Sequence, residues 1–336
     1  MNDFAEILKN ELPQLTRFEN SKIFIQEISN IRKKEIKVKE FLKRKNIVIS
    51  AKRYGIDALG AMAQGLFASL LIGTILNTLG TQLGIPTLSA CGGYASAMSG
   101  PAMAVAIGFA LQAPPLVLFS LATVGYAANA LGSTTLSGAA GAGGPLAVLL
   151  IAIIAAECGK AVSKETKVDI LVTPFCAILA GSAVGLILGP PISAFMVWIG
   201  SLINWGTEQQ PLLMGIIVSV LMGIVLTLPI SSAALGIILN LNGLAAGAAV
   251  VGCCCNMVGF AVASFRDNKV GGLLAQGLGT SMLQIGNIVR KPIIWLPAII
   301  ASAILGPVST VVFGMTSNAT GSGMGSAGLV GQIMTY

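Results

Sequence analysis

From Asp57 onward the chain alternates long apolar runs with short polar breaks. The runs fall near residues 57–83, 88–112, 114–132, 144–161, 170–189, 190–204, 212–229, 232–252 and 292–314. A membrane-crossing helix needs about 20 predominantly apolar residues, so each run except the short 190–204 is about long enough to cross. The pattern predicts an all-α, polytopic membrane protein with about 9–10 transmembrane helices.

Two stretches depart from it. GGLLAQGLGTSMLQIGN, residues 271–287, is weakly apolar and rich in Gly, and it lies between Arg266 and Lys269 on one side and Arg290 and Lys291 on the other. If both basic ends share one face, the segment enters and returns without crossing. Irregular backbone at membrane depth is tolerated only where protein or a water-filled cavity surrounds it, so a re-entrant hairpin here marks a cavity. SNATGSGMGSAGLVGQI, residues 317–333, has a similar composition and predicts a second hairpin.

Upstream the pattern is different. Residues 20–45 place Phe24, Ile28 and Ile31 at helical spacing, continue loosely through Ile36, Val38, Phe41 and Leu42, and add Glu35–Lys39 and Glu40–Arg44 pairs. This reads as a basic amphipathic helix. It is either a solvated helix that fixes topology or one that lies on anionic lipid or a partner protein. One basic helix without a second helix and turn is not a nucleic-acid reader, so no nucleic-acid partner is expected.

Composition sharpens this division. Of 336 residues, 54% are hydrophobic and 10% charged, against about 25% charged in soluble domains. Mean hydropathy is +0.85. Residues 1–53 hold 13 of the 20 Lys and Arg, leaving 7 for the rest of the chain. The expected organisation is a cytoplasmic basic segment, 1–53, followed by a transmembrane domain, 54–336. The first apolar run begins after Arg53, too late for a signal peptide, and the basic excess keeps the N-terminus cytoplasmic in the cell membrane. The loop Lys160–Asp169, with Lys164 and Lys167, then falls on the same side. The uncharged stretch GSTTLSGAAGAGG, 132–144, falls outside or lines a path.

The chain has no His, and its six Cys form no CxxC pair. This removes His-dependent triads, His-based zinc sites and His proton relays. No metal, cofactor or catalytic residue is expected. The run Cys253–Cys255 reads as small residues at a tight helix contact.

Candidate binding residues are polar groups at membrane depth, where charge is costly and marks pairing or a pathway. Glu157 lies inside an apolar run. It either pairs with Lys160 one turn later or accepts hydrogen bonds from a solute's hydroxyls. Among the amides at depth, which also include Asn77, Asn129, Asn240 and Asn242, those flanking or occupying the first hairpin are the candidate cavity residues: Asn256, Gln284 and Asn287. A weak internal echo relates LILGPPIS, 186–193, to AILGPVS, 303–309. It reads either as a remnant of duplication or simply as Gly-Pro ending two membrane helices.

The stretches GPAMAVAIGFALQAPP at 100–115, AAECGKAVSKETKVDILVTP at 155–174 and LGPPIS at 188–193 resemble the integral-membrane IIC (EIIC) components of the bacterial sugar phosphotransferase system, in particular the branch that includes the perfringolysin regulator, PfoR. The resemblance covers about residues 55–336. It implies a helical permease, dimeric in related proteins, that holds a sugar or polyol at midplane while a separate cytoplasmic EIIB-like protein phosphorylates it. It offers Glu157 for the family's acidic role near the sugar; no His is present for the other. Three functions follow as expectations: a sugar permease component, a PfoR-like membrane regulator or sensor, and an ion-coupled small-solute carrier.

Overall fold

The computed structural model describes residues 36–130 and 144–335. The amphipathic reading of residues 20–35 and most of the loop 132–144 therefore lie outside the described residues. The chain divides into two compact units, with the described residues 36–48 in the first and 49–130 and 144–335 in the second. In the first unit, residues 36–44 are helical, and the Phe41 ring lies under the cationic groups of Arg44 and Lys45, at 5.5 and 5.9 Å.

Among the described residues the second unit is built of helices and the turns between them. Among the described residues its single β-type contact is an isolated bridge between Gly243 and Ser317. Helix α1 spans Arg53–Leu83, with π-helical turns at both Arg53–Asp57 and Phe67–Leu71. It is followed by α2, Pro86–Ala97; α3, Ser99–Ala110; α4, Pro115–Ala130; α5, Gly144–Val162; and α6, Asp169–Thr207. Then come α7, Pro211–Thr227; the short α8, Ser232–Ile238; α9, Gly243–Ala263; and α10, Phe265–Leu274. The chain ends with α11, Ile285–Arg290; α12, Pro292–Val312; α13, Ala319–Ser322; and α14, Val330–Ile333. By length and composition α1, α5, α6, α9 and α12 suffice to cross a membrane, and α3, α4 and α7 are shorter apolar helices. The all-α polytopic expectation is met.

Several boundaries differ from the sequence reading. The run 88–112 is two helices, broken at Met98. Pro101 supplies no N–H for the turn that would carry one helix into the next. The runs 170–189 and 190–204 are one helix, α6, which continues through Pro190 and Pro191. At 39 residues a straight helix is about 58 Å long, against a hydrocarbon layer of about 30 Å. Gly306–Pro307 likewise stays helical, passing into a π-helical turn at Val308–Val312. Neither Gly-Pro therefore ends a helix, and that reading of the echo is withdrawn. The run 232–252 is split by a turn. Asn240 takes a left-handed φ of 48°, and Asn242 donates to the Asn240 carbonyl at 2.9 Å. These two amides make a local turn, a role Asn fills well.

Two packed groups form the bundle. Helices α1, α3, α4, α5 and α6 contact one another in one group, and α7, α9 and α12 in the other. Hydrophobic burial cannot drive helices together in lipid, so close backbone approach through small residues takes its place. At Gly252 on α9, a Cβ would stand 1.8 Å from the Ser219 carbonyl oxygen of α7. The Ser219 hydroxyl in turn donates to the Ser302 carbonyl of α12 at 2.7 Å. Gly100 on α3 and Gly125 on α4 meet in the same way.

Gly252→Ala forces α7 and α9 apart and is expected to destabilise by at least about 2 kcal/mol. Gly259→Ala, on the same helix, places its Cβ 3.6 Å from Ala298 and should be neutral or stabilising by up to about 1 kcal/mol. Melting curves in one detergent decide this; equal shifts for the two variants contradict the close-approach account.

Candidate functional site

The first hairpin is built from broken helix. After α9 the chain turns at Lys269, a non-glycine residue with φ of 51°. The turn falls inside α10, whose second half leads into a π-helical turn at Ala275–Gly279; the chain then becomes extended at Thr280 and leaves through a 3-10 turn, Ser281–Gln284, into α11. Arg266 and Lys269 at one end, and Arg290 and Lys291 at the other, are exposed. The second segment, 317–333, is also broken. Its short helices α13 and α14 are separated by turns in which Gly325 and Gly328 take φ of 53° and 55°.

Helix breaks leave carbonyl and N–H groups without helical partners, and each such group buried unpaired costs about 1–3 kcal/mol. Here serine hydroxyls take them up. Ser326 of the second segment donates to the Gly277 carbonyl in the first hairpin, and Ser232 of α8 donates at 2.6 Å to the Gly323 carbonyl. The Thr280 hydroxyl accepts from Met282 N at 3.2 Å. Gly243 and Ser317 exchange both backbone bonds, tying α9 to the second segment.

Where these breaks meet there is a cavity of about 460 Å³. Gly279 and Thr280 from the first hairpin, Gly323 and Met324 from the second, and Ser231 and Ser232 after α7 all line it. The wall is completed by Leu70 and Thr74 of α1, Ser99 and Met103 of α3, and Asn129 at the end of α4. Asn129 Nδ2 donates to Ser99 Oγ at 3.4 Å. In the sequence Asn129 is one of several amides at membrane depth. Its signal was its place at the end of an apolar run, just before the Gly- and Ser-rich stretch.

The four residues singled out in the sequence lie elsewhere. Asn256 is fully buried between α7, α9 and α12. Its amide donates to the Gly252 carbonyl and Ser302 Oγ, and its Oδ1 accepts from Trp295 Nε1 at 3.0 Å. Gln284 and Asn287 form a ladder within the first hairpin. Asn287 donates to Gln284 at 2.8 Å, Gln284 to Gln276 at 3.0 Å, and Gln276 to Ser264 at 2.8 Å. These amides hold the hairpin's shape rather than its cavity wall.

Glu157 sits on α5, twelve residues beyond the cavity-lining Pro145, or about 18 Å along the helix. Its Oε2 is 2.8 Å from Lys160 Nζ, and its Oε1 accepts from Tyr54 at 3.2 Å. Lys160 belongs to α5 rather than to a loop, and only 1% of its side chain is exposed. A buried cation must be paired. Lys160 has Glu157 and also donates to the Leu111 carbonyl at 3.1 Å. Arg53 donates to that same oxygen at 2.6 Å. Leu111 closes the C-terminal end of α3, where the helix dipole favours cations. One carbonyl thus joins α1, α3 and α5. The loop that follows is pinned by Asp169, whose Oδ1 accepts from Lys164 N at 2.7 Å and from the Thr173 hydroxyl at 2.6 Å.

Cys253 packs against the second segment, where Gly325 comes close, and its thiol faces the Met222 and Ser322 carbonyls at 3.6 and 3.8 Å. No group of metal-binding side chains occurs among the described residues.

The fold and this cavity define a helical membrane protein with a solute-sized site at interrupted helices. The model of the phosphotransferase system EIIC family matches residues 56–336, and the chain belongs to that family. It is a membrane sugar-transport component of that system. Comparisons with curated proteins and with solved structures gave no match.

Lys160→Met leaves the Glu157 carboxylate without its cation and is expected to destabilise by about 3 kcal/mol, most of it recovered in Glu157→Gln/Lys160→Met. Equilibrium unfolding of both variants measures the coupling; purely additive losses would mean that the pair contributes nothing. Ser326→Ala, which strands the Gly277 carbonyl, should cost about 1–3 kcal/mol in the same assay.

Proposed function

We propose that this chain holds a sugar or polyol in the cavity at the helix breaks and presents it to a separate EIIB-like protein for phosphorylation. The supporting observation is the meeting of two broken segments and the α7–α8 break around one cavity, in a chain of the EIIC family. Its volume lies within the range of small-molecule sites, about 300–1,000 Å³. In this reading Ser99, Asn129, Ser231 and Thr280 contact the solute. Asn256, Gln284 and Asn287 act behind the wall, by holding the first hairpin in place, and Glu157 acts through the α1–α3–α5 junction.

Within these 336 residues there is no His to accept a phosphoryl group, so the transfer is assigned to partner proteins. Docking of the EIIB-like partner is assigned to the exposed basic residues Lys164, Lys167, Arg266, Lys269, Arg290 and Lys291. The α11 arm of the first hairpin packs against Arg53–Asp57, so Arg290 belongs to the same end as Arg53 and Lys160. That end is taken as cytoplasmic by the positive-inside rule. The assembly is taken to be a homodimer.

A sugar panel tested by thermal shift in lipid nanodiscs examines this reading. A bound sugar stabilises by mass action, about 2.7 kcal/mol at a hundredfold excess over its Kd. The stabilisation should be lost in Asn129→Ala and kept in Glu157→Gln. Loss in Glu157→Gln with retention in Asn129→Ala would move the site to the other end of α5. No shift with any sugar or glycoside would favour a regulatory role.

A further inference from the structure

The chemistry of the cavity wall narrows its ligand, and this step rests on the sugar-permease reading above. Among the described residues that line the cavity, none is charged and none is aromatic. The wall is dominated by Leu66, Leu70, Met103, Met196, Leu226 and Met324.

Its polar groups are largely committed already. Thr74 donates to the Leu70 carbonyl at 2.8 Å, and Ser232 to the Gly323 carbonyl. Asn129 spends one donor on Ser99, and the Thr280 oxygen holds Met282 N. A fully hydroxylated sugar buried here would leave hydroxyls without partners, and each one left so weakens binding. A carboxylate, ammonium or phosphate would enter a low-dielectric site with no counter-charge, which is less favourable still. Leu and Met side chains instead reward apolar surface, and Met adapts to irregular shapes.

We infer that the cavity selects an uncharged ligand with a substantial apolar part: within the sugar reading, a neutral alkyl or aryl glycoside rather than a free sugar, a sugar acid, an amino sugar or a sugar phosphate. The polar groups of Ser99, Asn129 and Thr280 address the glycone, and the Leu and Met wall takes the aglycone.

The test is equilibrium binding to the full chain in phosphatidylcholine nanodiscs, which avoids glycoside detergents. The probes are glucose, galactose and mannose, their phenyl glycosides, and three charged analogues, gluconate, glucosamine and glucose 6-phosphate. A neutral apolar alcohol, 1-naphthalenemethanol, is the probe without a sugar. At least one phenyl glycoside should bind about tenfold or more tightly than its parent sugar, from the added apolar burial, and the charged analogues should not bind. Leu70→Trp and Met324→Trp, either of which fills the cavity, should abolish that binding while cooperative melting shows the fold intact. A charged analogue or a free sugar binding as well as the phenyl glycoside overturns the inference and leaves the sugar reading standing. Binding of the alcohol alone, lost in the filled variants, overturns the sugar reading and retains the apolar site. If no probe binds, or if binding survives both variants, the inference falls.

Discussion

The structure depends on one constraint: backbone exposed by a broken helix in apolar surroundings must find partners within the protein. Membrane helices normally meet this requirement internally. This chain interrupts its helices near Thr280, near Gly323 and between Thr227 and Ser232, and each interruption exposes groups that lipid cannot serve. Ser326 and Ser232 supply the missing bonds to Gly277 and Gly323. Because each hydroxyl comes from a different element, satisfying the breaks also draws them together. The cavity follows from that convergence.

The same logic explains the buried charges. Glu157 reads as an anomaly while it is considered alone in an apolar run. Beside Lys160, Tyr54, Arg53 and the end of α3, it belongs to a junction in which two cations share one helix-terminal carbonyl. The cost of burying the pair is offset only if every member stays paired. The junction therefore serves to fix α1, α3 and α5 relative to one another. The cavity, at the far end of α5, is left without charge. The charged junction and the uncharged cavity are thus separated along the helix axis.

The network behind the first hairpin carries the remaining polar burial. Asn256 links α9 to α12 through Ser302 and Trp295, and the Ser281 hydroxyl lies 2.8 Å from that of Thr227 on α7. The hairpin is thereby tied to α7, α9 and α12 by hydrogen bonds within the protein. An amide at membrane depth is as well explained by support as by binding, and only its neighbours distinguish the two.

Much was legible in the sequence. Mean composition and the apolar runs determined an all-α membrane body, because hydrophobicity is summed over residues whatever their partners. The basic residues flanking 271–287, and its glycines, pointed to a broken segment beside a cavity, because irregular backbone at depth has few permitted surroundings. Tertiary structure decided the rest. Pro190 and Pro191 lie within a continuous helix, whereas Met98 ends one, and no local rule separates these cases. Lys160 looked like the first residue of a loop but is buried, since Glu157 one turn earlier on the same helix and the Leu111 carbonyl at the end of α3 both reach it. Asn129 reached the cavity while Asn256, Gln284 and Asn287 did not. A polar side chain's role depends on which groups surround it, and that is fixed by helix packing between residues far apart in sequence.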